Sequence, residues 1–218
     1  MKPLIIAIDG PSGAGKGTVS RSLADTLGYR HVDTGAMYRA VGWKAHHDGM
    51  SLADEGAVAD LARRADISVE GGVVVIDGYD VTRAIRTPEI DKVASVVARL
   101  PQVREALVAR QRAIGAQGGV IMEGRDIGSV VFPDADVKVY LDASPEERAR
   151  RRASDPAHSG SQAGQAVVAD AIQARDNSDT TRAASPLTLA PGAVHIDTTD
   201  MPIDAVVNAV LALVRART

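Results

Sequence analysis

The segment 10–18, which reads Gly-Pro-Ser-Gly-Ala-Gly-Lys-Gly-Thr, places the strongest constraint on how this chain folds. An apolar run (4–9) precedes it and a helix-compatible run (19–24) follows, so the sequence predicts a strand, a glycine-rich loop and a helix in succession. Glycines allow successive backbone N–H groups to turn toward phosphate oxygens, and the helix N-terminus and the lysine add positive charge. A nucleoside triphosphate site is therefore predicted. Its residues are Gly10, Pro11, Ser12, Gly13, Ala14, Gly15, Lys16, Gly17 and Thr18.

Gly17 departs from the strict phosphate-loop pattern, which has Ser or Thr directly after the lysine. Here Thr18 comes one residue later. The pattern Gly-x4-Gly-Lys also arises by chance in about one chain of this size in twenty at average residue usage. A glycine turn without a ligand is therefore the alternative, and the flanking strand and helix patterns favour the phosphate site over it.

Composition limits the remaining classes. The chain has 218 residues, 45% of them hydrophobic and 24% charged, which is typical of one α/β domain with or without a small insertion. A net charge of −3 argues against binding nucleic acid through bulk electrostatics. Cysteine is absent, which excludes disulfides and thiolate chemistry. With no apolar run near the ~18 residues of a membrane helix, and an early run too short for a signal peptide, we expect a cytoplasmic protein without a membrane partner.

Strand-like runs alternate with helical runs along most of the chain. The strands are predicted at 4–9, 29–33, 119–122, 137–141 and 194–197, with a first helix that ends at Gly28 and a last helix after Pro202. Such alternation predicts an α/β fold of the P-loop NTPase type, a five-stranded parallel sheet with helices on both faces.

The region 67–90 interrupts this alternation. Short β-type runs there are separated by Gly71-Gly72 and by Asp77-Gly78, and Asp-Gly between such runs indicates a hairpin. Hairpins do not belong inside a βαβ progression, so we predict a small inserted antiparallel module, preceded by an amphipathic helix over 51–66. A surface decoration without function is the alternative.

Charged residues follow two of the predicted parallel strands. Thr34 is expected to cap a helix that carries Tyr38 and Arg39 in its first turns, and Glu123 follows the strand 119–122. Strand ends of this kind border the same crevice as the phosphate loop. Arg39 is therefore a candidate for a second phosphate, and Glu123 with Thr18 for Mg²⁺, the carboxylate directly or through water. A solvated Arg39 and an internal ion-pair cluster around Glu123 are the alternatives.

Two helical regions bring further polar residues together. The helical region 90–115, interrupted at Pro101, is expected to expose Ser95 and Arg104 on related faces. In the helix predicted over 166–182, Arg175, Asp179 and Arg182 lie on one face because their spacing is i, i+4 and i+7. A surface salt-bridge ladder has the same spacing.

The arginines indicate the reaction class. In-line phosphoryl transfer requires positioning and charge neutralisation more than covalent participation by the protein. A small kinase fits this pattern, whereas a GTPase needs a base-reading motif such as Asn-Lys-x-Asp, which the sequence lacks. A regulatory nucleotide-binding protein without turnover is the alternative of another class. The arginines that predict a phosphate-bearing acceptor, without specifying its base, are Arg39, Arg125, Arg148, Arg152, Arg175 and Arg182.

A lid is also predicted. The helix that begins near 145 carries four arginines, and the segment 155–164 consists mainly of small and polar residues. Arginines beside such a segment suit a lid that closes over phosphates and excludes water, although a solvated basic helix beside a loop would look similar. The predicted organisation is one kinase chain with a core (about 1–50, 91–150 and 183–218), an inserted module (about 51–90) and a lid (about 151–170).

Several longer motifs together resemble the bacterial cytidylate kinases, and the resemblance covers essentially the whole chain. Gly124-Arg-Asp-Ile-Gly128 followed by Val131-Phe-Pro is far more specific than the phosphate loop, and the Gly17-Thr18 pair has the form found in nucleoside monophosphate kinases. The other matching segments are 33–39, 85–89, 103–107 with 111–112, 131–135, 141–144 and 175–187.

The resemblance implies ATP-dependent phosphorylation of CMP and dCMP to CDP and dCDP with Mg²⁺, within pyrimidine nucleotide metabolism, by a monomer that takes only small-molecule substrates. A kinase for UMP or AMP is the nearest alternative. Lys16, Arg125, Arg148 and Arg152 would be catalytic, with Arg151 as a further lid arginine, and the insertion would be a nucleotide-binding module. The implied CMP site comprises Arg39, Arg125 and Arg182 for the phosphate, Ser95, Arg104 and Asp126 for cytosine, Arg175 and Asp179 for the sugar, and the adjoining Thr34 and Tyr38.

Two departures from the family pattern affect these expectations. Glu123 stands where many members have Asp, so the reach of the carboxylate to Mg²⁺ or its water differs. Residues 155–165 are rich in Gly and Ser where longer side chains are expected in the lid.

Overall fold

The computed structural model describes residues 3–155 and 165–217. None of the helices in these two ranges combines the length and the apolar character that a bilayer crossing needs. The strands are β1 (Ile5–Asp9), β2 (Arg30–Asp33), β3 (Ile67–Glu70), β4 (Val73–Ile76), β5 (Tyr79–Asp80), β6 (Val120–Gly124), β7 (Val137–Asp142) and β8 (Val194–Asp197). The helices are α1 (Lys16–Leu27), α2 (Thr34–His47), α3 (Glu55–Arg64), α4 (Pro88–Val97), α5 (Pro101–Gly115), α6 (Pro145–Ala153), α7 (Gln165–Thr181) and α8 (Ile203–Arg215).

A five-stranded parallel sheet in the order β2-β6-β1-β7-β8 forms the centre of the molecule. On β1, Ile6 pairs with Ile121 of β6 and with Val137 of β7, and its near-continuous apolar sequence is typical of a strand covered on both faces. Ala7 packs in a cluster with side chains of α2, α3 and α5, whereas Ile6 and Ile8 pack with side chains of α1 and α8. The predicted fold class is confirmed.

The end of α1 lies where the sequence predicts it, whereas the cap of α2 does not. Helix α1 ends at Gly28, which has φ 67° and donates its N–H to the Ala24 carbonyl, as the sequence predicted. The expected role of Thr34 as a cap is wrong. The Asp33 carboxylate accepts the Ala36 N–H at 3.0 Å, and Thr34 is the first helical residue. Asp33 and Thr34 are both good capping residues, and the cap lies one residue before the predicted position.

The predicted antiparallel module is present as a second sheet in the order β3-β4-β5. Asp77 and Gly78 have φ of 47° and 80°, the two left-handed residues that a tight hairpin turn requires. Ile76 and Ile85 are buried in a cluster with Ala36 and Ala40 of α2, so the module packs on the helix that begins at the carboxyl end of β2. The helix predicted over 51–66 is shorter, because Asp54 caps α3 through the Ala57 N–H.

Candidate functional site: a phosphate-binding cleft

The glycine-rich loop lies in a cleft of about 560 Å³ at the carboxyl ends of the parallel strands. Gly10 has φ 145°, and a Cβ atom there would lie 1.9 Å from the Leu141 carbonyl oxygen of β7. Gly13 has φ 82°, and a Cβ atom there would lie 2.8 Å from the Arg148 carbonyl oxygen of α6. Glycine is therefore required at both positions, since a side chain would push the loop away from the sheet and from α6.

Gly17 has a different reason to be glycine. A Cβ atom on Gly17 would lie 3.3 Å from Oε1 of Glu123, which is tighter than ordinary contact. The residue after the lysine is thus small where the carboxylate of β6 approaches α1. This contact gives a physical reason for the glycine at position 17, where the strict phosphate-loop pattern has Ser or Thr.

Lys16 is buried at the start of α1, and its Nζ donates to the Pro11 carbonyl at 2.7 Å. Burial, and next the charge of Arg125, lowers the pKa of Lys16 to about 7. An anionic ligand beside Nζ would oppose both effects and favour the protonated form. The lysine is therefore poised to gain a proton when a phosphate arrives.

The donor set for a magnesium ion is present in this cleft. Thr18 and Glu123 both line it, and a hydroxyl with a carboxylate suits a hard cation that keeps most of its water. His31 of β2, which sequence analysis did not select, lies with Nε2 2.8 Å from Oε1 of Glu123. The contact follows from the pairing of β2 with β6, in which Asp33 faces Glu123. Thr34 Oγ1 donates to the Glu123 carbonyl at 2.7 Å, so two side chains restrain this residue.

Asp91 of α4, also missed by sequence analysis, joins three of the predicted arginines. Arg39 Nε donates to its Oδ1 at 2.9 Å, Arg175 Nη1 approaches the same oxygen at 3.3 Å, and Arg152 Nη2 pairs with Oδ2. Although burial acts in the opposite direction, these three guanidinium groups hold the pKa of Asp91 well below its usual range. The three arginines also line the phosphate cleft.

A second group of predicted residues is assembled behind the cleft. Arg104 Nη2 forms a buried ion pair with Asp126, and its guanidinium lies 5.5 Å from the centre of the Tyr38 ring. Arg182 Nη2 lies 3.5 Å from the other oxygen of Asp126. Arg104 Nε is buried and has no hydrogen-bond partner among the described residues. A paired acid and guanidinium with unused donor capacity can bind the polar edge of a base.

Further predicted acceptor residues meet at Asp179 of α7. Arg125 Nε donates to Asp179 Oδ2 at 2.8 Å, and Arg182 Nη1 lies 3.8 Å from Oδ1 of the same carboxylate. The pKa of Asp179 lies below its ordinary value. Burial alone would raise this pKa, but the charge of Arg125 is the largest of the effects that lower it. The spacing that predicts Arg175, Asp179 and Arg182 on one helix face thus corresponds to an internal network of ion pairs, not to a salt-bridge ladder on the surface.

Arg148 and Ser95 lie outside the phosphate cleft. Arg148 Nε donates to the Ala143 carbonyl at 3.0 Å and its Nη1 to the Ser12 carbonyl at 3.1 Å, so the side chain supports the phosphate loop from behind. Ser95 lines a second cavity of about 350 Å³ between α4 and α7. Residues 156–164 of the predicted lid (about 151–170) lie outside the described residues, while Arg151 and Arg152 line the cleft.

Asp9, at the end of β1, organises the turn that follows Asp126. Its carboxylate accepts the N–H groups of Ile127 and Gly128, each at 2.8 Å. Burial raises the pKa of Asp9 to about 6, against the lowering effect of those two hydrogen bonds. No role for Asp9 was predicted from the sequence.

The family model for cytidylate kinase matches residues 6–216. The chain belongs to the cytidylate kinase family. A cytidylate kinase of Pelotomaculum thermopropionicum is 51% identical over 216 residues, which cover 97% of this chain and 96% of that protein. A cytidylate kinase of Bacillus subtilis is 43% identical, with coverage of 99% and 98%.

Solved structures of other kinases share the fold of this member of the cytidylate kinase family. A shikimate kinase from Bacteroides thetaiotaomicron has a TM-score of 0.54 at 12% identity, covering 97% of this chain and 98% of that one. A gluconokinase from Sinorhizobium meliloti has a TM-score of 0.51 at 16% identity, with coverage of 99% and 94%. These likenesses concern the fold alone.

Proposed function

We propose that this chain transfers the γ-phosphoryl group of ATP to CMP and dCMP, giving CDP or dCDP and ADP. The observation that carries the proposal is the family match over nearly the whole chain, joined to a phosphate loop that opens on a cleft with Arg39, Arg125, Arg152 and Arg175. The neighbouring group around Arg104 and Asp126 supports a polar base beside that cleft.

In this proposal the loop 10–18 holds the ATP phosphates, and Lys16 stabilises the phosphoryl group in transit. Charge spreads over the oxygens of the transferred group, so fixed cations in a cleft lower the barrier. Arg125 and Arg152 act from the cleft, and Arg148 acts with them by fixing the loop through its bond to Ser12. No general base is required, because the attacking oxygen of the acceptor phosphate is already anionic.

The proposed acceptor site uses the rest of the buried network. Arg39, Arg125 and Arg182 bind the CMP phosphate, Arg175 and Asp179 contact the sugar, and Thr34 and Tyr38 complete the wall. Ser95, Arg104 and Asp126 read cytosine. Cytosine presents an amino donor at N4, which the Asp126 carboxylate can accept, whereas uracil presents an oxygen acceptor there. An acceptor facing Asp126 would be repelled, and this favours CMP over UMP.

Mg²⁺ is the proposed cofactor. When bound, it would neutralise negative charge that develops on the phosphate oxygens during transfer. Thr18 would hold it through its hydroxyl and Glu123 through a water molecule, while His31 restrains the Glu123 carboxylate.

We further propose a monomeric, cytoplasmic enzyme with the core, inserted module (51–90) and lid (151–170) divided as the sequence predicts.

A coupled ADP-release assay with CMP, dCMP, UMP, AMP and GMP tests the proposal. CMP and dCMP should be preferred acceptors, and no turnover with any of the five would overturn the kinase assignment. A preference for UMP or AMP would overturn the assignment of the base.

Two variants test the base-reading residues directly. Arg104→Met and Asp126→Ala should each lower the preference for CMP over UMP by roughly 10- to 100-fold, because each leaves a buried polar partner unpaired. Arg63→Met, an exposed arginine of α3 paired only locally with Asp60 in the described structure, is the matched control and should leave the preference unchanged. An unchanged preference in the first two variants would show that other residues read the base.

A further inference from the structure

Side chains from four helices meet at the carboxylate of Asp91. It lies on α4, and its three arginine partners lie on three others: Arg39 on α2, Arg152 on α6 and Arg175 on α7. Both carboxylate oxygens are used, Oδ1 by two guanidinium groups and Oδ2 by the third. A single acidic side chain thus holds together arginines that the chain supplies from distant segments.

These arginines would repel one another without an anion between them. Burial, and then the charges of Arg39 and Arg125, lowers the pKa of Arg175 to about 10. A guanidinium group keeps its charge at neutral pH, so the repulsion is present whenever the cluster is formed. In the nucleotide-free protein, the negative charge of Asp91 offsets this repulsion.

The position of Asp91 places it in competition with a substrate phosphate. Arg152 and Arg175 line both the phosphate cleft and the second cavity, while Asp91 lines only the second. The Asp91 cluster therefore forms the wall between the two spaces. A phosphate that reached Arg39 and Arg152 from the cleft would compete with Asp91 for the same guanidinium groups, and it would face a like charge across them.

We propose that Asp91 is a positioning residue that acts as a placeholder anion. It holds Arg39, Arg152 and Arg175 together while the site is empty. When the substrates bind, it releases Arg39 to the acceptor phosphate, Arg152 to the transferred phosphoryl group and Arg175 to the sugar. The proposal rests on the proposed function, since that function assigns these arginines to the bound substrates and Arg39 to the acceptor phosphate. It predicts that Asp91 stabilises the free protein and weakens phosphate binding by competition.

Asp91→Asn tests this, because it removes the charge with little change in shape. The melting temperature of the free variant should fall, and the Kd for CMP should decrease roughly 3- to 10-fold, the size expected when partly exposed ion pairs stop competing. At saturating CMP, the variant and the wild type should melt at the same temperature. Glu89→Gln, on the same helix, is the matched control, because the Glu89 side chain is 69% exposed, and it should change none of these values.

Other outcomes overturn the proposal. A variant that melts lower both with and without CMP, at unchanged Kd, would show a merely structural ion pair. A higher Kd would show that Asp91 prepares the arginines for the phosphate instead of competing with it. If Asp91→Asn does not fold, Asp91→Ser serves with the same expected results, and failure of both to fold would refute a role confined to the empty site.

Inorganic phosphate separates this proposal from the proposed function. Wild-type protein that does not bind CMP would overturn the assignment of the acceptor. Asp91→Asn should still bind inorganic phosphate more tightly than the wild type in that case, because the arginines recognise the phosphate and not the base. Unchanged phosphate affinity would overturn the placeholder role by itself.

Discussion

The lowered pKa of Lys16 predicts that ATP binding takes up a proton. Burial and Arg125 bring this pKa to about 7, and the triphosphate supplies the negative charge that restores it toward the ordinary value of 10.5. At pH 8 a group with a pKa near 7 is only about one-tenth protonated when free and almost fully protonated once its pKa is restored. The expected uptake is therefore about 0.9 proton per ATP at pH 8 and about 0.5 at pH 7.

Isothermal titration calorimetry measures this uptake. ATP is titrated into the protein without an acceptor in two buffers that differ in ionisation enthalpy, and the difference in observed heat gives the number of protons. At pH 8 the phosphates of ATP are fully ionised, so they do not contribute. Lys16→Arg is the matched control, because arginine keeps its charge throughout, and its uptake should be close to zero.

Equal proton counts for the wild type and Lys16→Arg at pH 8 would refute the reasoning. Either Lys16 would then be protonated in the free protein, or the phosphates would not reach it. A melting curve with and without ATP distinguishes these cases, because only the second leaves a reduced stabilisation by the nucleotide.

Two further predictions concern Asp9 and Gly17. The folded pKa of Asp9, about 6, lies above its unfolded value of 3.8, so its contribution to stability is full below pH 3.8 and is lost as the pH rises through 6. In urea unfolding, the free energy of unfolding of the wild type relative to Asp9→Asn should decrease by up to about 3 kcal/mol between pH 4 and pH 7. A difference that does not depend on pH would contradict the assigned burial. Gly17→Ser should displace the Glu123 carboxylate and raise the Mg²⁺ concentration needed for half-maximal activity. Combining it with Glu123→Asp should restore part of the loss, and a double variant no better than Gly17→Ser would refute the contact.

Features set by short segments were predictable from the sequence. The phosphate loop, the stop of α1 at Gly28 and the hairpin turn at Asp77-Gly78 each depend on backbone conformations that particular residues favour locally. The alternation of apolar runs also gave the parallel sheet, because only strands covered on both faces are apolar throughout.

The contacts of Asp91, His31 and Asp9 were not predictable in the same way. Asp91 meets its arginines only because four helices pack around one point, and His31 meets Glu123 only through the pairing of β2 with β6. Neither the packing of helices nor the register of distant strands leaves a local pattern in the chain. Ser95 lines the cavity between α4 and α7, and its placement on a face related to that of Arg104 stays a prediction.

The central claim is that the γ-phosphoryl group of ATP is transferred to CMP, and a label-transfer measurement tests it most directly. Wild-type protein is incubated with Mg²⁺, CMP and ATP labelled in the γ-phosphate, and the products are separated. We expect the label in the β-phosphate of CDP, in amounts equal to the ADP formed, and a loss of more than about 100-fold in Lys16→Ala. Label recovered as inorganic phosphate with unlabelled cytidine nucleotides, or equal transfer by Lys16→Ala, would contradict the account.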